Sequence, residues 1–318
     1  MDFPLVSVIC TSYNHGEFIQ QALDSVIGQS WRHLELVIID NGSSDSSADR
    51  IREWSLQNKD KLPIHCCFHS KPLNYCRSFN HALTMVKGKY VIDLSGDDVL
   101  LPEHISRAVR TLEVHREKIY FSNALLEQVG SGSLMAFYPV GASGETVENV
   151  ASGNVYKEVV QRNFLCATTM VFPSEVLRKE GGYDETLSYE DFDIIVRLAR
   201  NYDFVFDDHI GVKKRILKSS FSAHQYRVKK SVMLPSTVKV CRKIQQMNRS
   251  EDENKALASR IMYEVKHALA SANFDAAVGL LAIADDLRIS GVKYRLFRLW
   301  GKLRLDLSWL YPWLRKIR

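Results

Sequence analysis

The 318-residue sequence predicts an α/β protein whose sheet is mostly parallel, followed by a helical C-terminal extension. Three observations carry that expectation. Short, nearly all-apolar runs rich in β-branched residues alternate with amphipathic helical stretches over the first hundred residues. Polar residues cluster just beyond each apolar run, and from about Ser231 onward only helical periodicity remains.

Leu5–Cys10 (LVSVIC) suits a strand buried on both faces. The next stretch sets Phe18, Ile19, Ala22, Leu23, Val26 and Ile27 at helical spacing, with Gly28 near the stop. Leu34–Asp40 (LELVIID) reads as the second strand, and SSADRIREWSLQ as a helix opened by serines and Asp45 as caps. LPIHCCFH and YCRSFNHALTMV supply a third strand and helix, and Tyr90–Leu94 a fourth strand. In such sheets ligands bind beyond the carboxyl ends of the strands. Thr11–Asn14, Asp40–Ser43, His69–Lys71 and Ser95–Asp98 are therefore expected to line one rim.

Residues 130–165, rich in small side chains, read as a loop near that rim. A strand, a short helix, a Gly-Gly break, a helix from about Glu190 and a further strand follow. ALASRIMYEVKHALASANFDAAVGLLAIADDL reads as two antiparallel helices broken near Asn273. The expected division is residues 1–230 and 231–318.

Composition limits the function. With 46% hydrophobic and 25% charged residues the chain folds, which excludes disorder over most of its length. A net charge of +5 is too small to argue for nucleic acid. The six cysteines form no CxxC pair and read as reduced, mostly buried side chains. The N-terminus lacks a basic leader, and no uncharged run approaches the roughly 20 apolar residues of a membrane span. These features predict a cytoplasmic protein, soluble or peripheral.

Asp97 and Asp98, adjacent at a strand end, are the sharpest feature. Acidic pairs there bind hard divalent cations such as Mg²⁺ or Mn²⁺, which hold phosphate oxygens; Gly-Asp-Asp is also ordinary turn chemistry. Asp40 before Asn-Gly is a turn former or an acceptor for a base or ribose. Neither GxGxxG nor GxxxxGK[ST] occurs, which disfavours dinucleotide oxidoreductases and P-loop enzymes.

VSVICTSYNHGEFIQQALDSVIGQSWRHLELVIIDNGSSDSS, GKYVIDLSGDDVLLPEHI and GGYDETLSYEDFDIIVRLA resemble, in order, three signature regions of family-2 glycosyltransferases. The resemblance runs from about residue 5 to about residue 230. It implies the GT-A fold, a Rossmann-like mixed and mostly parallel sheet, and inverting transfer from a nucleotide-diphospho-sugar with a Mn or Mg cation. It would place Thr11, Tyr13 and Asp40 around the uracil and ribose of a UDP-sugar, and Asp97 and Asp98 at the metal and diphosphate. Ser95 stands where the family's usual first Asp would be. In YEDFD, Asp191 matches the catalytic base and Glu190 its neighbour; Asp193 reads as a helix-surface residue and Arg197 as a structural ion-pair partner or a catalytic group. Arg77 matches a Lys or Arg position near the sugar nucleotide, or is a solvated helix residue. Lys229 replaces the family's His over the diphosphate, with His224 a possible substitute. Alternatives are a GDP- or dTDP-linked donor, or a non-catalytic module that binds nucleotide sugar or glycan.

Residues 288–318 hold nine Lys or Arg and one acid, Asp306, interleaved with Tyr294, Phe297, Trp300, Trp309, Tyr311 and Trp313. This composition suits the anionic inner-membrane surface, or else a helix packed through its aromatics with a solvated basic edge. With the resemblance, it implies an acceptor saccharide linked to undecaprenyl diphosphate, as in O-antigen (lipopolysaccharide) or capsule assembly; nucleic acid is a poor third.

Overall fold

The computed structural model describes residues 3–115, 117–217 and 220–311. They form two compact units: residues 1–155, 165–185 and 197–217, and residues 156–164, 186–196 and 218–318. The second unit thus draws two short excursions from mid-chain as well as the C-terminal part.

The first unit is built on one sheet. β1 (Val6–Ser12), β2 (Leu34–Asp40), β3 (Ile64–Phe68) and β4 (Tyr90–Ser95) pair in parallel in the order β3-β2-β1-β4, as the alternation of runs predicts. β1 and β2 are buried at every position, because helices cover both faces. One face packs α1 (Ile19–Ile27), α2 (Ser47–Asn58) and α4 (His104–Val114) through Ile19, Leu23, Ile51, Trp54, Ile105 and Leu112. Each fully buried Ile or Leu of this kind contributes about 1.5–3 kcal/mol. α3 (Tyr75–Leu83) contacts β1 and β2 and buries Phe79 and Ala82.

Beyond β4 the sheet turns mixed. β8 (Val171–Pro173) runs antiparallel to β4, and β6 (Ile119–Gln128) antiparallel to β8. β9 (Phe204–Ile216) is parallel to β6 with a register irregularity between Ser122 and Ala124, and the short β5 (Val99–Leu100) closes the edge. The stretch from 130 to 165 is not one loop: β7 (Ser133–Ala136) pairs with β6, and α5 (Tyr156–Gln161) belongs to the second unit. The small residues there serve tight turns, four of them glycines at positive φ.

A charged cluster fills the space between α4, β6 and β9. Arg107 grips Asp207 with two hydrogen bonds of 2.9 and 2.7 Å, and the Tyr120 hydroxyl donates to the same carboxylate at 3.1 Å. His209 Nδ1 lies 3.3 Å from Asp207. Burial opposes ionisation of Asp207, but bonds from His209 and Arg107 outweigh it and hold the carboxyl well below the usual range. Beside them His104 is fully buried, and burial, helped by the His209 charge, pushes its pKa down to about 3.

The second unit is helical. α8 (Leu234–Met247), α9 (Glu251–Ala270), α10 (Phe274–Asp286) and α11 (Val292–Leu303) pack through Ile244, Leu257, Ile261, Leu269, Leu280 and Ile283. The expected break falls at Asn273, between α9 and α10. Asp193 is not a surface residue: it is 1% exposed and takes a 2.6 Å ion pair from Lys243. Arg197, in the first unit, donates to the carbonyls of Glu180 and Gly182 and so closes the Gly-Gly turn.

Candidate nucleotide-diphosphate site

Parallel register decides which residues meet. Ser12 pairs with Asp40 across β1 and β2, and Thr11 with Ser95 across β1 and β4. The strand ends are then stitched together: Asn41 N–H donates to Ser12 O at 2.8 Å, Gly96 N–H to Thr11 O at 2.8 Å, and His69 N–H to Asp40 O at 2.9 Å. The predicted rim thus exists as one edge of the first unit.

Its polar atoms are incompletely satisfied. Asp40 accepts the Ser43 N–H at 3.0 Å through Oδ2, and its Oδ1 is buried with no hydrogen-bond partner among the described residues. Thr11 Oγ1, Ser12 Oγ and His15 Nδ1 are in the same condition. A buried polar atom left unpaired costs about 1–3 kcal/mol. Four within a few residues, where the fold predicts a ligand, mark a surface shaped for donors and acceptors that the chain does not itself provide. Tyr13 follows directly and is 47% exposed, as a ring offered to a planar ligand would be.

The acid pair is held from three sides. Ser95 Oγ donates to Asp97 Oδ1, so the serine in place of an acid binds the carboxylate. His15 Nε2 lies 3.9 Å from the same oxygen. Asp98 Oδ1 accepts the Arg215 N–H at 2.9 Å, and the Arg215 guanidinium donates to Asp97 O at 2.6 Å. Arg215 also reaches Gln21 and, at 3.2 Å, Glu127. Even so, burial and the Asp97 charge push Asp98 up to about 7, against the pull of Lys214 and Arg215. Gly96 allows this closeness: a Cβ there would come 2.9 Å from His15 Nδ1 and 3.0 Å from Ile19 Cδ1.

Among the described residues no group of three or more His, Cys, Asp or Glu side chains is placed to hold a metal ion. Two hard oxygen donors at a strand end suit a cation of the Mg²⁺ or Mn²⁺ kind, whose remaining ligands come from substrate phosphates and water. The residues fit that group, and the strained ionisation of Asp98 is what an added positive charge would relieve.

His15, Lys214 and Arg215 were not legible as site residues. The signal for the last two was the run Lys213-Lys214-Arg215, three consecutive cations in a strand, but nothing local pairs that strand's far end with Asp98. Arg77 is largely exposed on α3, and its Nε donates to Glu185 at 3.1 Å.

Glu190, Asp191 and Lys229 belong to the second unit. Asp191 opens α7 (Asp191–Asn201), where its Oδ1 accepts the Phe192 N–H at 2.6 Å. The preceding residues are pinned to α8: Ser188 N–H donates to Ser236 Oγ at 2.9 Å, and the Tyr189 hydroxyl meets Thr237 Oγ1 at 2.8 Å. Glu190 is half-buried, and its carbonyl accepts the Ile194 N–H. Lys229 sits at φ 62° with its ammonium 2.6 Å from Asp306, while His224 closes a single 3₁₀ turn.

The chain is similar to known proteins over the stretch that carries these strand ends. The model of Glycosyl transferase family 2 matches residues 7–138, which include Thr11, Asp40, Asp97 and Asp98. An uncharacterized glycosyltransferase of Rickettsia prowazekii is 28% identical over 67% of this chain and 64% of its own length. The chain thus spans just under two thirds of that relative. Among solved structures, S. aureus TarS residues 1–349 in complex with UDP-GlcNAc superposes with a TM-score of 0.70 at 15% identity, covering 98% of this chain and 93% of that one. The mannosyltransferase PcManGT of Pyrobaculum calidifontis, in complex with GDP-Man and Mn²⁺, superposes at 0.58 with 17% identity over 98% and 88%. The fold is GT-A, as the resemblance implied.

Proposed function

We propose that the protein is an inverting, metal-dependent hexosyltransferase that moves a sugar from a UDP-sugar to a saccharide acceptor carried on a lipid diphosphate, in bacterial surface-polysaccharide assembly. The observation that carries the donor half is the row of unpaired buried atoms on Thr11, Ser12 and Asp40 beside the Asp97–Asp98 pair, in which burial and the neighbouring charge push the Asp98 carboxyl up. Thr11, Tyr13 and Asp40 receive the uracil and ribose. Asp97 and Asp98 hold a divalent cation, which when bound neutralises charge on the departing diphosphate. Arg77 and Lys229 supply positive charge near the sugar and phosphates; each first leaves a carboxylate, Glu185 or Asp306.

In the transfer, the acceptor oxygen forms a bond to the anomeric carbon as the bond to the β-phosphate oxygen breaks, and that electron pair leaves with UDP. Asp191, with Glu190 beside it, takes the acceptor hydroxyl proton. Attack from the far face inverts the anomeric centre. The tight hold of Ser188 and Tyr189 on α8 supports this role, because a base must keep its position to within a fraction of an ångström.

A GDP-linked donor is the second reading, favoured by the likeness to PcManGT. A thermal-shift series with UDP, GDP and dTDP, with and without Mn²⁺, separates them: UDP with Mn²⁺ is expected to stabilise the protein most, by mass action. Equal response to all three, or none, would discard the donor assignment. Asp191→Asn is expected to keep that shift and lower transfer by about 10²–10⁴-fold; retained turnover removes Asp191 from the mechanism.

A further inference from the structure

The tail does not present its face as the aromatic spacing suggests. Tyr294 and Tyr311 are each only 7% exposed, and Tyr311 Oη lies 3.3 Å from His267 Nδ1. Trp313 lies outside the described residues. What α11 turns outward is a row of aliphatic side chains. Val292, Leu296, Leu299 and Leu303 are 75%, 59%, 54% and 54% exposed. Their spacing of four, three and four residues sets them on one line along a helix. Tyr294 and Gly301, the buried positions of α11, lie on its opposite side.

Cations border this line. Arg295 and Lys302 run along one flank, Lys293 and the half-buried Trp300 along the other, and α11 carries no acid. Arg298 and Arg304 are drawn toward the body by Asp285 at 3.3 Å and Asp275 at 2.6 Å. Lys293, Arg295 and Lys302 form no ion pair with a described residue. Beside the row a shallow, mostly apolar cavity of about 370 Å³ is lined by Ile289, Tyr294 and Leu299 together with Ser290, Arg295, Arg298 and Lys302. Trp309, 74% exposed, stands just beyond the helix.

We infer that the Val292–Leu303 row is the surface by which this protein lies on a bilayer carrying anionic headgroups, with Arg295 and Lys302 beside it meeting the lipid phosphates. Four aligned aliphatic side chains flanked by Lys and Arg, with a Trp at one end, match the chemistry of a helix lying in the interface plane. A second copy of the chain is a poor occupant, because pairing two such helices sets cation against cation with no acid between them. This deepens the proposed lipid-linked acceptor and takes its meaning from that reading, although the surface itself is argued from α11 alone.

The test floats the full chain with vesicles of phosphatidylcholine, with or without about one third phosphatidylglycerol. Expected are at least about tenfold tighter partition onto the anionic vesicles and a steep fall with added salt. Leu296→Glu with Leu299→Glu is expected to lower partition about tenfold or more while leaving helical circular dichroism unchanged. Arg295→Glu with Lys302→Glu is expected to remove the salt dependence. Undiminished flotation of both variants overturns the proposal, as does equal binding to neutral vesicles. Flotation lost by a chain ending at Tyr311, but kept by the leucine variant, assigns the binding to residues 312–318 and overturns it too. A dimer in sedimentation that the leucine variant disperses gives the row to a second copy. The UDP–Mn²⁺ thermal shift of each variant reads the donor site separately, so failure here and failure of the transferase reading are distinguishable.

Discussion

Two acidic centres in the first unit, Asp207 half-buried and Asp98 buried, are balanced differently. Asp207 is surrounded by Arg107, His209 and Tyr120, and its charge is answered within the fold. Asp98 is buried at 2% exposure beside a second carboxylate, and its carboxyl is driven up to about 7 in spite of two nearby cations. The carboxylate of the first centre is matched by cations, although both ring nitrogens of His104 and Nε2 of His209 beside it are buried without a partner among the described residues; the second centre carries surplus negative charge next to unpaired oxygens. The sign of the charge imbalance around an acid therefore says more about function than the presence of a carboxylate does.

The largest expected effect separates the two. Asp98→Asn keeps an acceptor for the Arg215 N–H, so the thermal midpoint at pH 7 should hold or rise, while transfer falls about 10²–10³-fold and the Mn²⁺-dependent UDP shift disappears. A fall in midpoint with intact UDP binding would make Asp98 merely structural and erase the contrast. Asp207→Ala should do the reverse. It strands Arg107 and Tyr120 at a cost of about 2 kcal/mol in urea unfolding, with UDP binding retained once folded.

The effect of pH on His104 is smaller and has a defined sign. The folded imidazole takes a proton only near pH 3, whereas the unfolded one does so near 6.5. Unfolding therefore takes up a proton in that window, and stability falls by at most about 1.4 kcal/mol per pH unit as the pH drops through it. His104→Leu should flatten that limb of a urea-midpoint profile; an unchanged slope would place the titration elsewhere. Smallest of all, Arg107→Lys keeps the charge but loses the two-point grip, for about 1 kcal/mol.

The charge-matched centre was invisible in the sequence and the unbalanced one was not, for a physical reason. Asp97 and Asp98 follow an apolar run directly, so local pattern alone sets them at a strand end. Asp207 meets Arg107 across 100 residues, and the partners lie on a helix and a strand that alternation does not align. The parallel half of the sheet was legible because β1, β2 and most of β4 are buried on both faces, although β3 is largely exposed. β6 and β9 were harder: Phe204 marks where β9 starts, but the polar residues of FVFDDHIGVKKRI hide its length and the irregular register opposite Asn123. Arg215 was lost with them. In the tail, composition gave the charge correctly, while the direction of each aromatic ring depended on the packing of α9 and α10.

The smallest residue at the rim has the widest reach. Because Gly96 lies against both the His15 ring and Ile19, a single methyl group at a position with no chemistry of its own would push the imidazole away from Asp97 and press on the helix that carries Gln21. Natural variants of this chain should tolerate exchange of Ser95 for another short hydrogen-bonding side chain far better than any gain of bulk one residue later.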